Sequence, residues 1–381
     1  MTLTIRPVED AADKAAFVDL AYELNGRDPN WVPPLKTEVH GLLDPRTNPW
    51  FEHAEARLFL AERDGRAVGR ISAQVDALVQ QHMGAGTGQW GMIEAADAEA
   101  AAELLHRAES WLRGRDMRRA LGPFSLSIWD EPGLLIEGFD HPPTVMMGHN
   151  GPAYEPWVEA AGYAKAKDLH VYRVDVSHEF PPLIRRLVDS GHANPRIRMR
   201  HVDKARFEEE ARTILGLLND AWSDNWGFIP LTEAETRFAG RKLKPIVWEE
   251  LIRVAELDTG SGWEPVAFMM TLPNINDYIA DLGGRLFPFG WAKLLWRLRT
   301  PRTRVMRVPL MGVKRRLHGT KLASQLAFMM MSDIRRYGHG KYGGDTAEIG
   351  WILEDNKPML SIAEALGGVR TRVYRIYQKP L

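Results

Sequence analysis

The chain has 381 residues, 49 of them Lys or Arg and 50 Asp or Glu. Its formal net charge is therefore −1, and no global field draws it to a polyanion such as nucleic acid. It contains no cysteine, which excludes disulfides, thiolate zinc sites and a cysteine nucleophile. The N-terminal stretch Met1–Asp10 lacks the basic start and apolar core of a signal peptide, and no apolar run reaches membrane-spanning length. A cytoplasmic protein with two domains, each with its own core, is the expectation.

The first elements read as a strand at Leu3–Pro7, a helix over Ala11–Leu24, and strands at Arg57–Ala61 and Val68–Ala73. The stretch Gly91–Glu99 then brings Glu94, Asp97 and Glu99 to a helix start, where carboxylates cap well and would repel a pyrophosphate. Gly122-Pro-Phe124, Glu131–Phe139 and His141-Pro-Pro143 read either as turns or as the wall of an acceptor site. Pro181-Pro182 and Asn194-Pro195 mark a boundary within 176–195. Beyond it come a strand at Arg196–Val202, a helix over Lys204–Trp222, and strands near Ile252–Glu256, Pro265–Leu272 and Arg304–Val313. A helix over Leu322–Tyr337 and a strand over Ala347–Glu354 follow.

A repeated terminal unit organises these elements. Asn150-Gly-Pro152, Glu159-Ala-Ala-Gly162 and Val171-Tyr-Arg-Val174 recur in the same order as Asn356-Lys-Pro358, Glu364-Ala-Leu-Gly367 and Val373-Tyr-Arg-Ile376. Each copy reads as a helix with a glycine stop and then an amphipathic strand. Two related lobes are expected, 1–176 and 177–381, the second interrupted by an insertion over 273–300.

The second lobe carries the chemistry. An apolar strand containing Leu310, Gly312 and Val313 breaks into a basic loop, Lys314-Arg-Arg-Leu-His-Gly-Thr-Lys321, at the start of a long helix. Unpaired N–H groups and the macrodipole at such a helix start favour an anion, and Arg315, Arg316, His318 and Lys321 add donors around Gly319 and Thr320. A solvated basic turn is the other reading.

Arg316-Leu-His-Gly319-Thr-Lys321 resembles the Arg/Gln-x-x-Gly-x-Gly/Ala loop of the GCN5-related (GNAT) acyltransferases, with Lys321 in place of the second small residue. The resemblance implies a mixed α/β tandem-GNAT fold, an acyl-CoA co-substrate whose pyrophosphate sits on this loop, and no metal. The twelve histidines show no metal-ligand spacing. Two-lobed architecture with Asn225-Trp-Gly-Phe228, Pro273-Asn-Ile-Asn276, Gly284–Pro288 and Glu348-Ile-Gly-Trp351 is similar, more narrowly, to the bacterial ceramide synthases, which transfer a fatty acyl group to a sphingoid amine.

Acyl transfer from a thioester to an amine needs a base, donors for the oxyanion and an acid for the thiolate. Glu348, on the polar face of an apolar strand, is the first candidate base or else a paired structural carboxylate; Asp277 is the reserve. Tyr374 is a candidate acid, although its repeat counterpart Tyr172 argues for packing. For Asn356 the resemblance implies a pantetheine contact, and its place before Pro358 a plain helix cap. Trp222, Asp224, Asn225 and Trp226 lie where the resemblance implies the border of the acceptor pocket, or else form a capped loop packed on the core; Asn274 and Asn276 are further substrate candidates. Phe287 and Trp291, in an insertion that interleaves aromatic and basic residues, suit lipid contact at the inner face of a membrane; a helix docked on the body with its basic face in solvent is the other reading. The Met329–Met331 run reads as core before fatty-chain pocket. A small-molecule N-acetyltransferase, a tRNA-dependent aminoacyl transferase and a non-enzymatic acyl-CoA-binding protein are the rival readings.

Overall fold

The structure, a computed structural model, describes residues 2–381. Among the described residues the strands are β1 (Leu3–Pro7), β2 (Ala54–Arg63), β3 (Arg66–Asp76), β4 (Thr87–Ala95), β5 (Arg119–Gly122), β6 (Leu134–Glu137), β7 (Ala164–Asp175), β8 (Ile197–His201), β9 (Ile252–Asp258), β10 (Trp263–Pro273), β11 (Val305–Val313), β12 (Thr346–Leu353) and β13 (Val369–Pro380). The chain divides into two compact units, and the mixed α/β architecture expected from the sequence is the one observed.

The first unit comprises the chain up to Leu169 together with Ile279–Trp291 and Arg372–Leu381. Its strands run β1-β2-β3-β4-β5-β13, with β6 also on β13. Alternation along β3 sends Ile71 and Ala73 into a core with Leu104, Leu105 and Leu112 of the Ala98–Arg113 helix. That helix is capped by Asp97, whose carboxylate accepts from the Ala100 N–H.

The second unit comprises His170–Tyr278 and Ala292–Thr371 and orders its strands β7-β12-β11-β10-β9-β8. Its core is built on the Lys321–Gly340 helix, whose Leu326, Phe328, Met330 and Ile334 pack with Leu251, Val266, Met306 and Ile349. Six consecutive residues of that helix, Leu326 to Met331, are buried, so its middle is covered on every side and not on one face alone.

A linear division at 176/177 does not describe these units. The repeat assigns the Val171–Val174 strand to the first lobe and the Val373–Ile376 strand to the second, yet β7 from His170 onward belongs to the second unit and β13 from Arg372 onward to the first. In the first unit β13 pairs antiparallel with β5, from Tyr377–Gly122 to Pro380–Arg119. Two copies of one strand have the same alternation, so either satisfies either sheet, and sequence pattern alone does not say which copy closes which. The insertion expected as one piece is also shared, Ile279–Trp291 falling in the first unit and Ala292 onward in the second.

All three methionines of the 329–331 run are buried, Met330 at 0% exposure, among the apolar residues of the second unit. Met330→Ala is expected to destabilise the protein by about 3 kcal/mol in denaturant unfolding. A loss below about 1 kcal/mol would mean that the side chain lines yielding space and not a packed core.

Candidate active site

β11 and β12 run parallel and pair only from Val305–Thr346 to Val308–Ile349. Beyond that point β11 continues to Val313 and β12 to Leu353 without pairing to each other, while β10 stays on the far side of β11 up to Ala267–Val313. The two strands part, and from Pro309 onward β11 has no strand partner on that edge, where the Met311 and Val313 carbonyls instead meet the Trp222 indole and His318. The first unit has the same parallel pairing between β4 and β5, limited to Thr87–Gln89 against Arg119–Leu121. There the space beside β4 is filled: the Phe124 N–H donates to the Trp90 carbonyl at 2.8 Å. A Cβ on Gly91 would lie 1.6 Å from the Phe124 carbonyl oxygen.

At the open end of β11 the chain makes a short helical turn, Arg315–Leu317, and enters the Lys321–Gly340 helix through Gly319 and Thr320. Gly319 has φ +73°, a conformation that disfavours a side chain, and the space around it is open. The Thr320 hydroxyl caps the Ala323 N–H. No acceptor among the described residues takes the N–H of Gly319, Lys321 or Leu322, so three donors at the positive end of a 20-residue helix remain available.

The cations of this loop are held in place by acids. Glu264, at the start of β10, accepts from Lys314 Nζ at 2.7 Å and from Arg316 at 2.8 Å. The hydrogen bond from Lys314, together with that from Arg316, holds the Glu264 carboxyl below the usual range despite some burial. Arg315 is fixed from three sides: its N–H donates to Asp220, and its guanidinium meets the Ser223 hydroxyl and, at 2.9 Å, Asp224. Asp224 is thus occupied in ordering the loop and does not stand open for an amine. His318 Nε2 is 2.7 Å from the Val313 carbonyl. Lys321 is exposed at the helix start.

Trp222, at the end of the Phe207–Trp222 helix, donates its indole N–H to the Met311 carbonyl at 2.9 Å. It meets Phe228 edge-on at 6.5 Å, and Asn225 and half-buried Trp226 complete the turn between them. Gly312 packs against this layer, since a Cβ there would come within 2.8 Å of Ala221 and 2.9 Å of Phe268. Its small size serves helix packing, and Leu310 and Val313 are the half-buried residues of the open stretch.

A second group of polar side chains lies about 13 Å back along β11, four residues from Met311 at strand spacing. Arg307 and Glu348 are register partners on β11 and β12, and both are 0% exposed. Arg173 on β7 donates to Glu348 at 2.9 Å, and Arg307 donates to the Gly350 carbonyl at 3.3 Å. Asn274, buried just past β10, donates to Asp277 at 2.7 Å, and Asn276 opens the short Asn276–Ile279 helix. Although part of Asp277 reaches solvent, surrounding protein pushes its carboxyl above the ordinary range, and the Glu348 charge adds to this against the opposing effects of Asn274 and Arg304.

The other candidates lie apart from these groups in chemistry. Asn356 caps the Lys357–Ala365 helix by accepting from the Met359 N–H. Tyr374 belongs to the first unit, is 1% exposed and donates its hydroxyl hydrogen to the Gly148 carbonyl at 2.9 Å, a packing role. Phe287 and Trp291 are exposed. Glu264, Asp220, Arg173 and Arg307 escaped the sequence reading; extending the β10–β11 register past Ala267–Val313 would have brought Glu264 opposite the loop. In the first unit Arg63 pairs with Asp97 and Glu99, while Glu94 lies on β4 and not at the helix start, half-buried against Arg70 and the Tyr154 hydroxyl.

No known protein-family profile matches the chain. It is 46% identical over 385 aligned residues to the bacterial ceramide synthase of Caulobacter vibrioides (strain NA1000 / CB15N), covering 100% of this chain and 98% of that protein. It is 39% identical to protein YghO of Escherichia coli (strain K12), covering 99% and 95%. Among solved structures it resembles a tandem GNAT protein from the clavulanic acid biosynthesis pathway, with a TM-score of 0.57, 14% identity, and coverage of 100% and 98%. That likeness is one of fold.

If Glu264 shares its cations with a bound anion, removing its charge frees them. Glu264→Gln is expected to tighten binding of inorganic pyrophosphate about threefold at low ionic strength, an advantage that fades in high salt. Weaker binding in calorimetry would make Glu264 a required tether and not a competitor.

Proposed function

The chain belongs to the bacterial ceramide synthase family and is an acyltransferase, and we propose that it transfers the acyl group of an acyl-CoA to the amine of a long-chain, sphingoid-like acceptor. The observation that carries this reading is the open edge of β11 ending in a helix start with three available N–H groups. The diphosphate of CoA fits that helix start, with Arg315, Arg316 and Lys321 around it and Gly319 giving close access to the backbone. The pantetheine arm carries two amides and suits an unpaired strand edge, so its thioester would approach the Glu348–Asp277 end of the split. In the first unit the corresponding space is filled by Phe124 and the helix start is acidic, which supports a single CoA site in the second unit.

In this reading the amine nitrogen attacks the thioester carbonyl, the C–S bond breaks and the thiolate leaves. The proton lost by the amine passes to Asp277, directly or through water. Glu348, the first candidate from sequence, is fully buried and bound by Arg173, so it better serves to raise the basicity of Asp277 than to reach substrate itself. Trp222 and Trp226 would line the acceptor side, and the exposed aromatic insertion would take the acceptor from a lipid phase. Contact of that insertion with a bilayer surface at the inner face is part of the proposal, and no helix among the described residues is long and apolar enough to cross a membrane.

Gly319→Asp places a carboxylate and a strained backbone where the diphosphate binds, and it is expected to weaken CoA binding at least about tenfold in calorimetry. Unchanged affinity would remove the loop from the site. A base must be deprotonated to act, and Asp277 holds its proton to a higher pH than an ordinary aspartate. Turnover should therefore fall as pH drops through that raised value, and Asp277→Asn should lower kcat about 100-fold and erase the acidic limb. An acidic limb that survives in Asp277→Asn but vanishes in Glu348→Gln would give the role to Glu348.

A further inference from the structure

Five of the eight large apolar side chains that stand exposed among the described residues fall within ten consecutive positions: Phe287, Phe289, Trp291, Leu295 and Trp296. Phe287 and Phe289 are 79% and 78% exposed, far beyond what isolated surface residues need explained. They lead into the Gly290–Arg299 helix. At 100° per residue, Trp291, Leu295 and Trp296 share the exposed side of that helix, while Leu294, Arg297 and Leu298 occupy the partly buried side.

Charge names the partner. Residues 283–300 contain Arg285, Lys293, Arg297 and Arg299 and no acid, in a chain whose overall charge is −1. Arg297 is turned inward to the Tyr278 carbonyl, whereas Arg285, Lys293 and Arg299 are exposed beside the aromatic side chains. The Gly284 carbonyl accepts from the Lys36 N–H at 2.9 Å, so the segment starts from a fixed root.

We infer that Phe287-Pro-Phe289 and the Gly290–Arg299 helix form an interfacial anchor for an anionic bilayer, aromatic rings entering the acyl boundary and basic residues meeting the headgroups. The inference rests on the lipid-acceptor reading above and names the surface from which the acceptor is drawn. A protein partner of the same hydrophobicity would not call for a run of cations without acids.

The full chain would be floated with vesicles of phosphatidylcholine alone and of phosphatidylcholine mixed with phosphatidylglycerol, at low and high salt. Wild type is expected to bind the anionic vesicles in low salt. Phe289→Ser with Trp296→Ser is expected to lower the partition coefficient at least about tenfold. The same double variant should keep the wild-type thermal unfolding midpoint, so that lost flotation reports the surface and not the fold. Wild type that fails to float, or a variant that floats equally well, overturns the anchor. So does equal binding to neutral vesicles, or a patch that proves in light scattering to hold two copies of the chain together. Intact flotation with no thiol release from wild type would contradict acyl transfer and leave the anchor standing.

Discussion

The parting of β11 from β12 after the Val308–Ile349 pair is the constraint on which everything else depends. A parallel pair that stayed zipped would present no backbone edge inside the second unit and no entry between its strands. Because the strands part, the stretch Pro309–Val313, which keeps β10 but not β12 as a strand partner, leads directly to the Lys321–Gly340 helix start at one end and to the buried Arg307–Glu348 register pair at the other. One geometric feature therefore supplies both a place for a diphosphate and a line along which its arm reaches a group of carboxylates. The first unit starts from the same topology and cancels it with the Phe124 backbone against Gly91.

Electrostatics then divides labour between the two ends. At the loop, Glu264 and Asp224 hold Lys314, Arg316 and Arg315 in preset positions, so an incoming anion meets ordered cations and not a mobile fringe. The exposed setting keeps each of these pairs individually weak, which lets a doubly charged ligand displace or share them. At the other end Arg307 and Glu348 are buried, while Asp277 is an exposed residue. The carboxyl of Asp277 is crowded by protein and by the Glu348 charge and so holds its proton more tightly than in water. A carboxyl shifted in that direction is a stronger base than an ordinary aspartate.

Much of this was legible in the sequence. The alternation at Leu3–Pro7, the apolar run of Pro265–Leu272, the extent of the Lys321–Gly340 helix, and the glycine in its basic loop each declare themselves locally, because each is decided by neighbours within a turn or two. What was not legible depended on pairing at a distance. The exchange of β7 and β13 is hidden because both copies carry the same alternation. Arg173 was lost with it, since its strand had been assigned to the other lobe. Glu264 becomes visible only when β10 is laid antiparallel to β11. The roles of Asp224 as clasp, Asn356 as cap and Tyr374 as packing residue follow from partners that spacing does not reveal.

Lys321, the departure from the usual loop pattern, finds a place in this arrangement: it stands exposed at the helix start, where the N–H groups are open. The most direct test of the account is a crystal structure of the chain with coenzyme A. The account predicts diphosphate oxygens on the N–H groups of Gly319, Lys321 and Leu322, with the arm lying along Pro309–Val313 between β11 and β12. Coenzyme A lying along β4 of the first unit, or bound with that edge of β11 left empty, would contradict it.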